Sequence, residues 1–348
     1  MRVLFVSCDP LEGAVTRYRC THLAEALKSA GHTADVATIY DPVIRLEHDI
    51  VVLHRICANA EGQALADAVR KSGATLVYGA DDLVFTEGPH HAMLQQADGA
   101  LVSTNALAEF AKEAGAKDVT VVRNWAIEDE CESEPLQTGG DIETVRLLYG
   151  AGTRTHDQDL NLLALPLEEL LETGWYDERL VLAGNVACPL SLQKTGRVQC
   201  WPWSAWEYYI ALIHGCDIIL APLEPTVFNS GKSELKWLEA AMCQKPTIAS
   251  RWGGFAEVVT EGKDGLLAET TEEWGKKLLL LIEDERLRVR MGKAAYMRAK
   301  KQAREQAKVT VATFQSWQTN QVIQLVVIRN YLGWLKGKIK SMLRRLER

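Results

Sequence analysis

The feature that most constrains this chain is an alternation that runs twice. Short apolar runs at residues 2–6, 33–37, 50–53, 75–78, 99–102 and 119–122 are rich in Val, Ile and Leu. Segments with helical patterning separate them, such as 19–29, which stops at Ala30-Gly31 as a helix ending on a left-handed glycine does. Strands that are apolar on both faces and divided by helices require a parallel sheet covered on two sides. The alternation breaks at 126–145, where seven acids, a Pro and the pair Gly139-Gly140 read as a solvated linker. It restarts with strands at 146–149, 180–183, 217–220, 246–250 and 265–267 and helices at 159–171, 204–214, 233–242 and 271–282.

A length of 348 residues, 47% hydrophobic, supplies two cores of this kind. The expected fold is therefore α/β, with two doubly wound Rossmann-like domains facing a central cleft: residues 1–125, a linker at 126–145, and residues 146–300. Ligands of such sheets bind beyond the carboxyl ends of the strands. A closing helix follows at 301–317, then a tail at 318–348. In the tail Val322, Leu325, Ile328, Leu332, Leu335, Ile339, Met342 and Leu346 form one apolar stripe at helical spacing.

Charge separates the tail from the body. The formal net charge is −7, but the tail alone carries +6 and the rest −13. An acidic body argues against a nucleic-acid partner. A basic amphipathic helix has two readings: it lies on an anionic membrane surface, which Tyr331 and Trp334 suit, or it pairs with a second copy as a homodimer. The opening run Val3 to Val6 reads as a first strand, not an export signal, so the chain is expected in the cytoplasm, peripheral on the inner face of the membrane if the tail binds lipid. The eight cysteines (8, 20, 57, 131, 188, 200, 216, 243) are scattered singly, which fits neither a disulfide framework nor structural zinc.

The segment from Phe228 to Met242 carries the most chemistry. Asn229, Gly231 and Ser233 lead into a helix whose free N–H groups attract an anion, and Lys232 stands at that entrance. Glu239 lies further along the same helix, placed for the hydroxyls of a ribose. The plain alternative is an N-cap with a surface Lys and Glu. Gly-Lys-Ser here is no P-loop, since Val227 stands where that motif has glycine. Asp81-Asp82 ends a strand at the cleft edge, where a carboxylate can orient or deprotonate a hydroxyl; a turn aspartate is the other reading. Asp157-Gln158-Asp159 is a literal D-x-D, but Asp159 also suits an N-cap at Leu160, and no metal is expected. Trp201, Trp203 and Trp206 serve either ring stacking or packing.

In order and spacing these pieces resemble retaining, family-4-like glycosyltransferases of the GT-B fold (glycosyl transferases group 1). The motifs are Lys232-Ser233…Leu235-Lys236…Glu239, then Pro246…Ile248-Ala249-Ser250, then Gly253-Gly254…Glu257…Gly265-Leu266-Leu267. Further pieces are Gly150-Ala151-Gly152-Thr153 with Thr155-His156-Asp157, Arg17-Tyr18-Arg19 with His22-Leu23-Ala24, and Asp81-Asp82-Leu83. The resemblance implies a hexosyltransferase-type enzyme that moves a sugar from a nucleoside diphosphate sugar to an acceptor hydroxyl, in cell-surface polysaccharide or glycolipid synthesis, without a metal or other cofactor. Asp82 or Asp81 would meet the acceptor, a glycan or a lipid-linked glycan. Lys232, Ser233, Glu239, Gly231, Asn229, Gly152, Arg154 and His156 would hold the donor. Retaining members often carry a first glutamate eight residues before the second; here that position is Gly231. Its loss admits two rivals, an inactive GT-B-like scaffold and a GT-B-fold nucleotide-sugar epimerase.

Overall fold

In the computed structural model, residues 1–138, 144–152, 157–174 and 176–346 are described, with side chains up to Asn320 except that of Asp157. Among the described residues, twelve strands form two six-stranded sheets in which every pairing is parallel. The first contains β1 (Arg2–Ser7), β2 (Thr33–Thr38), β3 (Ile50–His54), β4 (Thr75–Ala80), β5 (Gly99–Val102) and β6 (Val119–Val121), in the order β2-β1-β3-β4-β5-β6. The second contains β7 (Arg146–Ala151), β8 (Arg179–Gly184), β9 (Val198–Trp201), β10 (Ile218–Ala221), β11 (Thr247–Ser250) and β12 (Leu266–Ala268), in the order β12-β11-β10-β7-β8-β9. The chain reverses direction across the sheet between β1 and β3 in one domain and between β7 and β10 in the other. Those are the crevices where an α/β sheet receives a ligand.

One strand escapes the sequence pattern. β9 is an edge strand, half-exposed along Val198, Gln199 and Trp201 with Cys200 exposed, so it lacks the apolar run that marks its buried neighbours. Three helices also differ from expectation. The first begins at Ala14, not Arg19, and widens into a π-turn at Arg17–Thr21 before continuing as His22–Ser29. The helix expected at 159–171 is two, Asp157–Asn161 and Ala164–Thr173, because Pro166 fits only the first turn of a new helix. Asp159 is consequently no N-cap. The helix expected at 233–242 is Leu235–Met242, with Glu234 in the cap position.

The linker is less solvated than its composition implies. Glu130 meets Arg17 at 3.0 Å and His22 at 2.9 Å, Glu128 meets Lys300 at 2.8 Å, and Cys131 is buried. A single helix, Glu285–Leu346, then joins the domains. Its Ala295 and Ala299 pack with Trp237 and Leu238 of the second domain, whereas its Phe314 and Trp317 enter the core of the first beside Phe5, Leu23 and Leu27. Phe314 meets Phe5 edge-on at 5.5 Å, and Trp317 donates to Asp118 at 2.9 Å. The closing helix and the tail are one element that runs through Gly333 and Gly337. Among the described residues no helix is long and apolar enough to cross a membrane.

Candidate active site at the domain seam

The carboxyl ends of both sheets face one seam. On the second domain the backbone of Lys232 to Glu234 is pressed against the Gly253-Gly254 pair: Gly254 N–H donates to the Lys232 carbonyl at 2.8 Å, and a Cβ on Gly254 would lie 2.8 Å from Glu234 N and 2.9 Å from the Lys232 oxygen. The glycine pair is therefore a close-approach requirement. This contact also explains the late helix start. The Lys232 carbonyl is spent on Gly254, and the Ser233 hydroxyl accepts from Asn124 Nδ2 at 3.0 Å across the seam, so it does not cap its own helix.

Lys232 Nζ sits 2.7 Å from Asp82 of the other domain and 4.9 Å above the Phe228 ring. One turn on, Lys236 lies over the Tyr149 ring at 5.1 Å. Burial lowers its pKa to about 8, against the nearby charge of Asp159. Glu239 is 5% exposed and accepts from Tyr18 Oη at 3.2 Å. Burial raises its carboxyl to about 7, opposed by the Tyr18 hydrogen bond and the Lys236 charge. Lys232 in the loop before this helix, with Lys236 and Glu239 on it, thus lines the crevice beside β7 with two ammonium groups and a carboxylate.

On the first domain, β3 ends at His54-Arg55 and β4 leads into Asp81-Asp82. His54 Nε2 lies 3.2 Å from Asp81, and Arg55 spans both carboxylates, 3.6 Å from Asp81 and 2.9 Å from Asp82. Arg55 takes a positive φ of 55°, an uncommon conformation for a side-chain-bearing residue, at the strand end that aims its guanidinium at the pair. For Asp81, burial favours the neutral acid, but the His54 hydrogen bond and the charges of His54, Arg55 and Arg19 win and hold the carboxyl well below the usual range. A carboxylate held so firmly in its ionised form is a weak base, so Asp81 is suited to positioning Arg55, and Asp82 is the one that faces the opposite domain.

A latch closes the seam around this group. Arg123 bridges Glu234 at 3.3 Å and also meets Glu257, which accepts from Asn105 at 2.7 Å. Thr104 Oγ1 donates to the Gly231 carbonyl at 3.2 Å. A Cβ on Gly231 would meet the Leu107 side chain at 2.8 Å, so a side chain there requires Leu107 to shift.

Of the residues singled out in the sequence, Asp81, Asp82, Gly231, Lys232, Ser233 and Glu239 come together. Gly152 follows β7, and no atom of the described residues lies within 4 Å of where its side chain would be. Asn229 is buried, its amide donating to Asp159 at 3.3 Å and to the Glu224 carbonyl at 3.0 Å, and so supports the loop from within. Asp159 also accepts from Glu224 N at 2.7 Å, which ties the described end of the D-x-D to the same loop. Arg154 and His156 lie outside the described residues. The tryptophans divide: Trp203 is exposed, while Trp206 packs edge-on against Tyr18 at 5.7 Å beneath Arg17 at 5.0 Å. His54 and Arg55 were not found from the sequence. Lys236 and Tyr18 stood inside quoted motifs, but nothing in a single chain marks which motif residues face inward.

Residues 147–284 match the family model described as Glycosyl transferases group 1. The D-inositol 3-phosphate glycosyltransferase of Corynebacterium efficiens is 32% identical over 118 residues, 33% of this chain and 26% of that protein. The N,N'-diacetylbacillosaminyl-diphospho-undecaprenol alpha-1,3-N-acetylgalactosaminyltransferase of Campylobacter jejuni is 33% identical over 88 residues, 25% of this chain and 22% of that protein. The chain thus spans about a quarter of the length of the curated relatives it matches. Among solved structures, Anabaena HepE in complex with UDP superposes with a TM-score of 0.65 at 15% identity, over 91% of this chain and 100% of that one. WaaG, a glycosyltransferase involved in lipopolysaccharide biosynthesis, gives 0.63 at 16%, over 88% and 99%. Two doubly wound domains with a shared seam define the GT-B class of fold. Within that class, the second domain of this chain resembles the glycosyl transferases group 1 family.

Proposed function

We propose that this protein transfers a sugar from a nucleoside diphosphate sugar to an acceptor hydroxyl, with retention of configuration, in the synthesis of a cell-surface polysaccharide or glycolipid. The observation that carries the reading is the Lys232–Asp82 bridge, which joins a cation beside the proposed donor crevice to a carboxylate on the other domain. The chemistry asks for a neutralised leaving group and a positioned nucleophile. Lys232 and Lys236 neutralise the departing diphosphate, and Glu239 accepts hydrogen bonds from the ribose diol. The diphosphate draws Lys232 away from Asp82, which then receives the acceptor hydroxyl while Arg55 and Asp81 hold its position. With glycine and no carboxylate at 231, the departing phosphate itself takes the acceptor proton on the same face. The scheme places the compensating charge on lysines and uses no metal.

Incubation with a panel of nucleoside diphosphate sugars and lipid-linked acceptors, read by mass spectrometry, tests this. A glycosylated acceptor is expected; an altered free sugar, or donor binding without turnover, overturns it. We further propose that the protein works at the cytoplasmic face of a membrane, where the basic stripe of 318–348 rests on anionic lipid, each Lys or Arg contributing about 1 kcal/mol. Deleting 318–348 is expected to abolish flotation with anionic liposomes. Unchanged flotation, or dimers of the full chain that the deletion dissolves, overturns that placement.

A further inference from the structure

Arg19, on the π-turn, is 1% exposed, and its guanidinium is only half used. Nη1 donates to the Val122 carbonyl at 2.7 Å and to Asn124 Oδ1 at 3.0 Å. Nε and Nη2, both shielded from solvent, have no partner among the described residues. Buried polar groups are paired in roughly nine cases of ten or more, so an idle edge on a buried cation marks a place for something else. The Nε–Nη2 edge is a planar fork, and its spacing matches two oxygens of one phosphate or carboxylate.

A second group lies at the same edge of the sheet. Ser103 is fully buried, and its hydroxyl also lacks a partner among the described residues. Ala80 pairs with Val102 and Val102 with Val121, so the next residues, Asp81, Ser103 and Val122, stand side by side at the carboxyl ends of β4, β5 and β6. Tyr78, Ala80 and Val102 belong to the core on one face of the sheet, and alternation gives Asp81, Ser103 and Val122 the other. On that face Val122 packs with Cys20 and Leu23, the helix that bears Arg19. Asp81, already occupied by His54 and Arg55, and Glu234, occupied by Arg123 and Gln302, are close enough to act on Arg19 electrostatically but do not bond to it.

We propose that the Nε–Nη2 edge of Arg19, together with the Ser103 hydroxyl, is a seat for an oxyanion, a phosphate or carboxylate that a substrate carries into the closed seam. The anion has two sources, the donor's diphosphate or an acidic group on the acceptor. Assigning either source rests on the transfer reading above, whereas the seat itself does not. Asn124 ties Arg19 to Ser233 of the opposite domain, so the seat lies on the surface that domain opening would uncover.

Calorimetric titration of the full chain tests the seat with three probes: inorganic phosphate, pyrophosphate, and inorganic phosphate added to pyrophosphate-saturated protein. R19K keeps the charge but loses the fork, and S103A removes only the hydroxyl. If the seat takes a donor phosphate, both variants bind pyrophosphate about tenfold more weakly, and the saturated wild type takes up no further phosphate. If it takes an acidic group of the acceptor, pyrophosphate affinity holds in both variants, and the second phosphate, bound by the saturated wild type, is weakened by about the same factor. Wild-type affinities in both variants for all three titrations overturn the seat, as does a wild type that binds neither anion. Should R19K fail to fold, S103A decides, and unchanged binding there is equally fatal. Failure of the transfer reading shows separately, as anion binding without glycosylated product.

Discussion

Glu239 is a carboxyl whose surroundings favour its neutral form, with burial as the leading cause. A folded-state pKa of about 7 against an ordinary 4.5 means that the folded chain binds the extra proton across that window. Stability therefore falls as pH rises through the window, and the loss is complete above about 7. Glu239→Gln, which cannot ionise, is expected to flatten that part of the pH–stability profile, as read from denaturant midpoints. Its amide is a poorer acceptor for a ribose diol, so affinity for a bound nucleoside diphosphate should fall about tenfold. Asp82 gives the opposite sign. Asp82→Asn frees Lys232 from a bridge between partly exposed groups, a class worth about 0.2–1 kcal/mol. Calorimetry should show nucleoside diphosphate binding strengthened by no more than about fivefold, while sugar transfer falls. Neither effect was legible in the chain alone. The motif placed Lys232 and Glu239 on one helix, but the aspartate pair belongs to a distant stretch of sequence and only the closed seam joins them.

Among the elements, the loop from Lys232 to Glu234 and the Gly253-Gly254 turn form one interlocked unit. Gly254→Ala places a methyl within 2.9 Å of three backbone atoms of that loop, none of which can yield as a side chain would. A destabilisation of about 1–3 kcal/mol is expected, seen as a lowered Tm together with weaker nucleoside diphosphate binding. Gly152→Ala, where no atom of the described residues lies within 4 Å, should change Tm little and serves as the control. Eleven of the twelve strands were legible because buried parallel strands announce themselves as apolar runs. β9 did not, since none of its residues is fully buried and its run VQCW breaks the apolar pattern at Gln199. The π-turn was invisible for a different reason: one extra residue in a helical turn leaves the apolar spacing of Leu23, Ala24 and Leu27 intact while re-aiming Tyr18 and Arg19 into the seam.

For the whole molecule, the decisive element is the helix Glu285–Leu346. Trp317→Ala removes a ring that fills the first domain's core and donates to Asp118. A loss of about 3–5 kcal/mol is expected, and because this helix also packs on the second domain, thermal unfolding should separate into two transitions. The sequence marked a helical stretch here but gave no sign that it crosses between domains, since Phe314 and Trp317 read equally well as packing against the nearer body.

The same helix has a mechanical consequence. Beyond Asn320 it continues for about 26 residues without a break, at 1.5 Å per residue a strut of roughly 40 Å. Rooted in both cores, it sets a bearing as well as a reach. Whatever grips its far end holds the mouth of the seam at a fixed stand-off and tilt, as an outrigger holds a hull, and a domain that swings open must swing against that mooring.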